Sequence, residues 1–345
     1  MLSKIVSLAK KVRRSAAFKH GVAAPKRLAV AMQQRTNQGI YSVEIEATMG
    51  FFAVLQSILF ILVHCENNKL YPDISARGGL YGEKTGTVDW FGQLFRAAQN
   101  PDRKIVERLA SRRDVRTSRI RGVEDLGFRA RYEKTLSLSE ASTLFNKYYR
   151  PAPDVIADVD ELCKRLEISA STIAVHYRGT DKIHEAGKVP WQKLCDAVDE
   201  MSGNNHGMTN IVLASDDAQF IEFFRTRAFR IPAKVVPAVY MPKGDTPVHF
   251  SGHPGLAIGR EALVTCLLLA RCGFLIKTPS YLSAWAKIFN PSLPVFLISA
   301  PLGKGRFPDR VLWLDQQSGK AFAAELKGQR TEQATSDLPY SASPK

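Results

Sequence analysis

Apolar residues in this chain fall into short extended runs separated by longer helical ones. The first unit is clear around Gly50. SVEIEAT reads as a strand, Gly50 follows it, and GFFAVLQSILFILVHCENN continues as a helix to about Asn67 before LYPDIS extends again. A glycine between strand and helix lets the backbone turn sharply and leaves unpaired N–H groups at the helix start. Strand, helix and strand in that order make a βαβ unit, so a parallel sheet is expected in the N-terminal half. The apolar centre of the helix, Phe51 to Val63, includes Gln56 and Ser57. It falls short of the roughly 20 residues a membrane span needs, so a buried core helix is expected.

Residues 68–150 are rich in Gly, Arg and aromatic residues. GGLYGEKTGTVDWFGQLF reads as a loop, with helices expected near 103–113 and 139–148. Pro151 and Pro153 in YYRPAPDV stop the preceding helix, and a domain boundary is placed there. Beyond it the alternation is regular. A helix is expected from Pro153 to Leu166, then strand TIAVHY, helix WQKLCDAVDEM, strand NIVLAS, helix QFIEFFRTRA and strand KVVPAV. Helix GREALVTCLLLARC, strand GFLIKT, helix SYLSAWAKIF and strand LPVFLI complete the series. Short connections between alternating strands and helices specify a Rossmann-like parallel sheet. The domain reading is a basic segment at 1–40, an α/β domain at 41–150, a Rossmann-like domain at 151–326 and a polar, disordered tail at 327–345.

Composition changes this picture in three places. A chain of 345 residues with 45% apolar and 23% charged residues is an ordinary globular protein, long enough for two cores. The net charge of +15 is concentrated, with residues 1–40 carrying nine Lys/Arg and no acid. Such charge suits phosphorylated substrates, anionic lipid or nucleic acid, and the absence of zinc-finger, RNP or zipper patterns argues against the last. Ile5, Leu8, Ala9 and Val12 can share a helix face, which suits a basic amphipathic helix on an anionic membrane surface; a transit peptide or a frayed terminus would look similar. The five cysteines are irregularly spaced without CxxC, which suits buried free thiols in a reducing, cytoplasmic compartment.

In parallel sheets ligands gather at the C-terminal ends of strands. Three polar clusters fall there: His176 to Lys182, Asp216-Asp217, and Lys277-Thr278-Pro279-Ser280. The densest is VHYRGTDKIHE. Arg178 can pair bidentately with a phosphate at any working pH, and would stabilise charge building on a departing diphosphate. Lys182 adds a second cation. Asp181 either orients one of the two or bridges Arg178 structurally. His176 is either a ligand contact or a satisfied core histidine. Glu185 can take a proton from an attacking hydroxyl, or is a surface acid. No metal-ligand spacing, P-loop, dinucleotide fingerprint or GxSxG is present, so a metal-free mechanism is expected.

HYRGTDK resembles the HxRxxD-type motif of the α1,6-, α1,2- and protein O-fucosyltransferase group, which includes the rhizobial nodulation enzymes. IVLASDD is similar to the second block of that group and EALVTCLLLARCGFLIKTPSYLSAWA to the third. GFFAVLQSILFILVHCENNKLYPDI resembles its N-terminal Gly-loop and helix. The resemblance covers about half the chain, mostly 169–300. It implies a GT-B-like α/β fold, two Rossmann-like domains facing a cleft, and inverting, metal-free transfer from a GDP-sugar, usually GDP-fucose, to a glycan or lipid-linked saccharide. On that reading His176 contacts the nucleoside, Arg178 the outer phosphate, and Thr278 to Ser280 the diphosphate. Thr180, Gly50, Phe51, Asp216 and Asp217 join the substrate-binding set, and Glu185 falls one residue from the base position. Gly179 stands where the α1,6 branch has a second arginine, and Thr265 where the third-block helix has an acid that reads guanine. A non-catalytic nucleotide- or carbohydrate-binding protein on the same fold, and a polyanion-binding protein, are the competing readings.

Overall fold

The computed structural model describes residues 39–98, 115–120, 125–179, 189–203, 207–241, 248–250, 252–301 and 306–319. The basic segment up to residue 38, the expected helix at 103–113 and the C-terminal tail lie outside these residues.

The N-terminal βαβ unit forms as the apolar pattern requires. Strand β1 (Gly39–Ile45) leads to helix α1 (Phe51–Asn68), which returns through Lys69, in left-handed conformation, to strand β2 (Leu70–Ala76). β2 lies parallel to β1, with Gly39 opposite Leu70 and Ile45 opposite Ala76. Strands β3 (Phe95–Ala97) and β4 (Val115–Ile120) follow, and β4 adds in parallel on the other edge of β1. Helix α1 is apolar on nearly all sides because it is packed on nearly all sides: 72% of it is buried.

One expectation is corrected here. The stretch 90–97 is not loop. Helix α2 (Trp90–Leu94) starts after Asp89 and buries Trp90, Phe91 and Leu94, and β3 pairs antiparallel with strand β5 (Tyr149–Pro151). Aromatic burial overrides the glycine-rich composition that suggested a loop. Helices α3 (Arg129–Thr135) and α4 (Leu138–Tyr148) lie between, α4 opening on a capping box in which the Ser137 hydroxyl accepts from the Glu140 N–H and the Glu140 carboxylate accepts from the Ser137 N–H.

The C-terminal half follows the alternation closely. Helix α5 (Pro153–Leu166) takes proline in its first turn. Then come β6 (Thr172–Tyr177), α6 (Trp191–Gly203), β7 (Asn210–Ser215), α7 (Ala218–Thr226) and β8 (Ala233–Val235). Helix α8 (Gly255–Ala270), β9 (Phe274–Lys277), α9 (Tyr281–Phe289), β10 (Val295–Leu297) and a last helix, α10, at 309–319 complete the chain. The sheet is wholly parallel in the order β10-β9-β6-β7-β8. The chain builds outward from β6 to β8, then crosses back to lay β9 on the other side of β6. The reversal leaves a crevice above the ends of β6 and β9, the usual ligand position in an open parallel sheet.

One large core runs through both halves without a break at residue 150. Phe52 of α1 and Phe145 of α4 pack on Trp285 of α9, at ring separations of 6.3 and 5.1 Å. Arg260 of α8 pairs with Asp154 and Asp158 of α5, at 2.5 and 2.6 Å. A smaller core of Ile173, Val175, Tyr177, Leu194 and Phe220 fills the opposite face of the large sheet. All five cysteines are buried and free.

Candidate active site

The crevice is built from the backbone outward. The Thr278 N–H donates to the His176 carbonyl at 3.0 Å, and the Arg178 N–H donates to the Thr278 hydroxyl at 2.9 Å, so the ends of β6 and β9 are laced together. The next neighbour, β7, supplies Asp216. Its carboxylate pairs with the Arg178 Nε at 3.0 Å and accepts from the Gly179 N–H at 3.0 Å. One acid thus fixes both the guanidinium and the turn after it. Engaging Arg178 through its Nε edge orients the planar group without neutralising it by burial, since 20% of the side chain stays exposed.

Asp217, its neighbour in sequence, has a different occupation. Its carboxylate caps α7 by accepting from the N–H groups of Gln219 and Phe220, both at 3.0 Å. The same side chain closes the space over Gly179. A Cβ there would stand 2.5 Å from Asp217 Oδ2 and 2.6 Å from Tyr177 Cε1. Gly179 is therefore the residue this packing admits as it stands, and a side chain there must displace Asp217 or the Tyr177 ring.

His176 is buried, and its ring is pushed down to about 3 by burial first and by the cations Lys277 and Arg178 second. Its Nδ1 has no hydrogen-bond partner. The structure leaves a neutral, buried imidazole with an unpartnered nitrogen beneath the strand ends, where the sequence left open a ligand contact or a satisfied core histidine. Lys277, grouped by sequence with the strand-end cluster, turns away from the crevice. It is wholly buried and pairs with Asp309 at the start of α10; burial pushes its ammonium down and Asp309 partly offsets this. Thr278 and Ser280 are buried at the mouth of β9, and Ser280 takes the N-cap position of α9 without using its hydroxyl as a cap.

From the other half comes the start of α1. Gly50 is its N-cap and offers no side chain, and the His249 ring comes within 3.8 Å of where a Gly50 Cβ would lie. Phe51 buries its ring against Phe52, Tyr81 and Trp90. Burial pushes the Tyr81 phenol well up, with the Phe51 N–H and the charge of Arg178 pulling the other way. Thr180, Asp181, Lys182 and Glu185 lie outside the described residues. On α8, Glu261 lies one turn before Thr265 and accepts from the N–H groups of Val239 and Tyr240 at 3.2 and 3.4 Å. Among the described residues no cluster of three His, Cys, Asp or Glu could hold a metal ion.

Sequence reasoning did not single out Tyr81, His249 or Asp309. The glycines around Tyr81 signalled a tight loop and could have marked it; the other two carry no local signal.

No protein-family model matches the chain, and no curated protein sequence matches it. Solved structures do. A crystal structure of fucosyltransferase NodZ from Bradyrhizobium aligns over 77% of this chain and 98% of its own, with TM-score 0.52 and 17% identity. NodZ α1,6-fucosyltransferase soaked with GDP-fucose aligns over 73% and 93%, with TM-score 0.50 and 18% identity. The same enzyme co-crystallised with GDP aligns over 74% and 94%, with TM-score 0.50 and 17% identity. The chain has a fucosyltransferase-like GT-B fold.

Proposed function

We propose that the protein is a metal-independent, inverting glycosyltransferase that moves a sugar, with fucose from GDP-fucose as the first choice, onto a hydroxyl of a glycan or lipid-linked saccharide. The observation that carries this reading is Arg178: a guanidinium with 20% of its side chain exposed, held by Asp216 at the sheet reversal. The diphosphate lies over the ends of β6 and β9, with Arg178 on its outer phosphate and the hydroxyls of Thr278 and Ser280 beside it. As the sugar C1–O bond to phosphate breaks, negative charge grows on that oxygen, and a cation already fixed in place stabilises the transition state more than the ground state. The acceptor oxygen bonds to C1 from the opposite face and gives its proton to Glu185. His176, kept neutral, reads the nucleoside through Nδ1. The basic N-terminal segment would hold a cytoplasmic enzyme against an anionic membrane surface near its acceptor.

A second reading is favoured by one observation. Gly179 stands where the α1,6 branch has a second arginine, and a side chain there would have to displace Asp217 or Tyr177, which would suit a protein that binds a sugar nucleotide without turning it over. The two readings part on one experiment. Thermal unfolding of the purified chain is followed with GDP, UDP, ADP and their sugars, then products are measured with the ligand that raises the midpoint most. The transferase reading expects GDP and GDP-fucose to stabilise and GDP to be released from GDP-fucose. Stabilisation without release supports the binding protein, and no stabilisation by any diphosphate overturns both.

A further inference from the structure

The end of β6 is clamped from both sides by the strands next to it. The register sets Tyr177 of β6 opposite Ser215 of β7, so the residues that follow them, Arg178 and Asp216, leave the sheet as neighbours. On the other flank His176 lies opposite Lys277 of β9, and Thr278 follows. The Arg178 N–H donates to the Thr278 hydroxyl at 2.9 Å, and the Gly179 N–H donates to Asp216 Oδ1 at 3.0 Å. Backbone amides at a strand end are groups that a parallel sheet can turn toward a ligand. Here two of them are committed to side chains of the protein, so what residues 178 and 179 bring to a phosphate is the guanidinium.

Asp216 engages that group as well. Its Oδ2 lies 3.0 Å from Arg178 Nε, and its side chain is set deeper, 12% exposed against 20%. Each carboxylate oxygen thus has its own partner, and one acid joins the guanidinium to the turn that begins at Gly179. That turn is itself closely packed, because Asp217 and the Tyr177 ring fill the space where a Gly179 Cβ would stand. An acid so near a cation works against the binding of an anion, since it subtracts from the field a phosphate feels. What such an acid contributes is direction.

We infer that Asp216 is a positioning residue for Arg178, fixing the plane of the guanidinium against the end of β6 and leaving contact with the donor to the arginine; the inference rests on the donor-binding reading above. The sequence grouped Asp216 with the substrate-binding residues, and this role sets it one residue behind them. Charge on the departing diphosphate develops in the transition state, so a guanidinium that swings loses turnover more than donor binding.

The test is Asp216→Asn. The amide oxygen can still accept from the Gly179 N–H, while the NH2 group cannot accept from Arg178 Nε. Release of GDP from GDP-fucose, GDP affinity by calorimetry and the unfolding midpoint are measured in the wild-type and Arg178→Ala backgrounds. The expected result is a loss of at least about tenfold in kcat, with the GDP Kd and the donor KM within about threefold of wild type or tighter. The midpoint moves by only a few degrees, and the substitution costs nothing further once Arg178 is alanine. A carboxylate that touches the donor would instead weaken GDP or GDP-fucose by more than this. One that only supports the fold would lower the midpoint and leave kcat alone, and two independent roles would give losses that multiply. Each of these results overturns the inference. Should Asp216→Asn not fold, Arg178→Lys decides, because it keeps the charge without the Nε–H: the same split between kcat and affinity is expected, and a wild-type rate overturns the inference. If the wild-type chain neither binds GDP nor releases it from GDP-fucose, the donor reading falls and this inference with it. If Arg178→Ala loses turnover and Asp216→Asn does not, only the inference falls.

Discussion

Two neighbouring strands of the large sheet each end on a basic residue with a carboxylate partner, and the two pairs have opposite fates. At the end of β6, Arg178 meets Asp216 with 20% and 12% of the side chains exposed. At the end of β9, Lys277 meets Asp309 with 0% and 9% exposed. A buried ion pair gives up hydration on both ions and stays only because each holds the other, so the Lys277 pair is architecture: it fastens α10 beneath the sheet. The Arg178 pair is set less deeply, and a planar guanidinium that keeps part of its surface exposed can engage a phosphate. In sequence both are simply a cation where a mainly apolar strand run stops. Depth in the fold separates them.

The comparison breaks most sharply at Arg178. Arg178→Ala is expected to reduce GDP release from GDP-fucose by roughly 10³-fold, the scale of losing a fixed charge-stabilising group, with the unfolding midpoint shifted by only a few degrees. Turnover near the wild-type rate would remove this residue from the chemistry. Lys277→Met should show the reverse. Leaving Asp309 buried without its partner costs about 3–5 kcal/mol in urea unfolding, and Lys277→Met combined with Asp309→Leu recovers most of it. If the single variant were as stable as the wild type, the buried pair would not be holding α10.

Gly179→Ala probes the wall between these pairs. The added methyl must displace Asp217 or the Tyr177 ring, for a loss of about 1–3 kcal/mol measured by the same unfolding curves. A neutral outcome would reopen the site to the larger side chain it now excludes. The narrowest effect, confined to the acid limb, concerns His176, which lies opposite Lys277 in the strand register. Its folded-state value of about 3 is below the ordinary 6.5, so the unfolded chain binds the extra proton. Its contribution is whole above pH 6.5 and drains away as pH falls toward 3, at a slope of up to about 1.4 kcal/mol per pH unit. His176→Gln should flatten that part of the acid limb in a pH series of unfolding free energies. An unchanged slope would mean that the ring is protonated alongside Lys277.

How much of this was legible beforehand varies by region. The C-terminal half was, because each buried strand is a short apolar run and each helix carries a stripe of apolar residues bounded by glycine, proline or a cap such as Asp217. Stretch 90–97 was not, because Trp90, Phe91 and Phe95 draw it into the core against a glycine-rich composition that suggests loop. Within the site, Arg178, Asp216 and Thr278 were legible as polar residues at strand ends. Their pairing was not, since Thr278 stands one hundred residues from the Arg178 N–H that it accepts from.

The sequence by itself determined the order of elements, the parallel C-terminal sheet and the strand end where charge collects, because these follow from local periodicity and from where an apolar run stops. Only the tertiary structure decided which cation is sunk and which keeps some exposure, that a side chain at Gly179 must displace Asp217 or Tyr177, and that helices of the first half pack on Trp285 of the second. Those outcomes depend on separations of a few ångströms between segments far apart in the chain, and no local pattern encodes such distances.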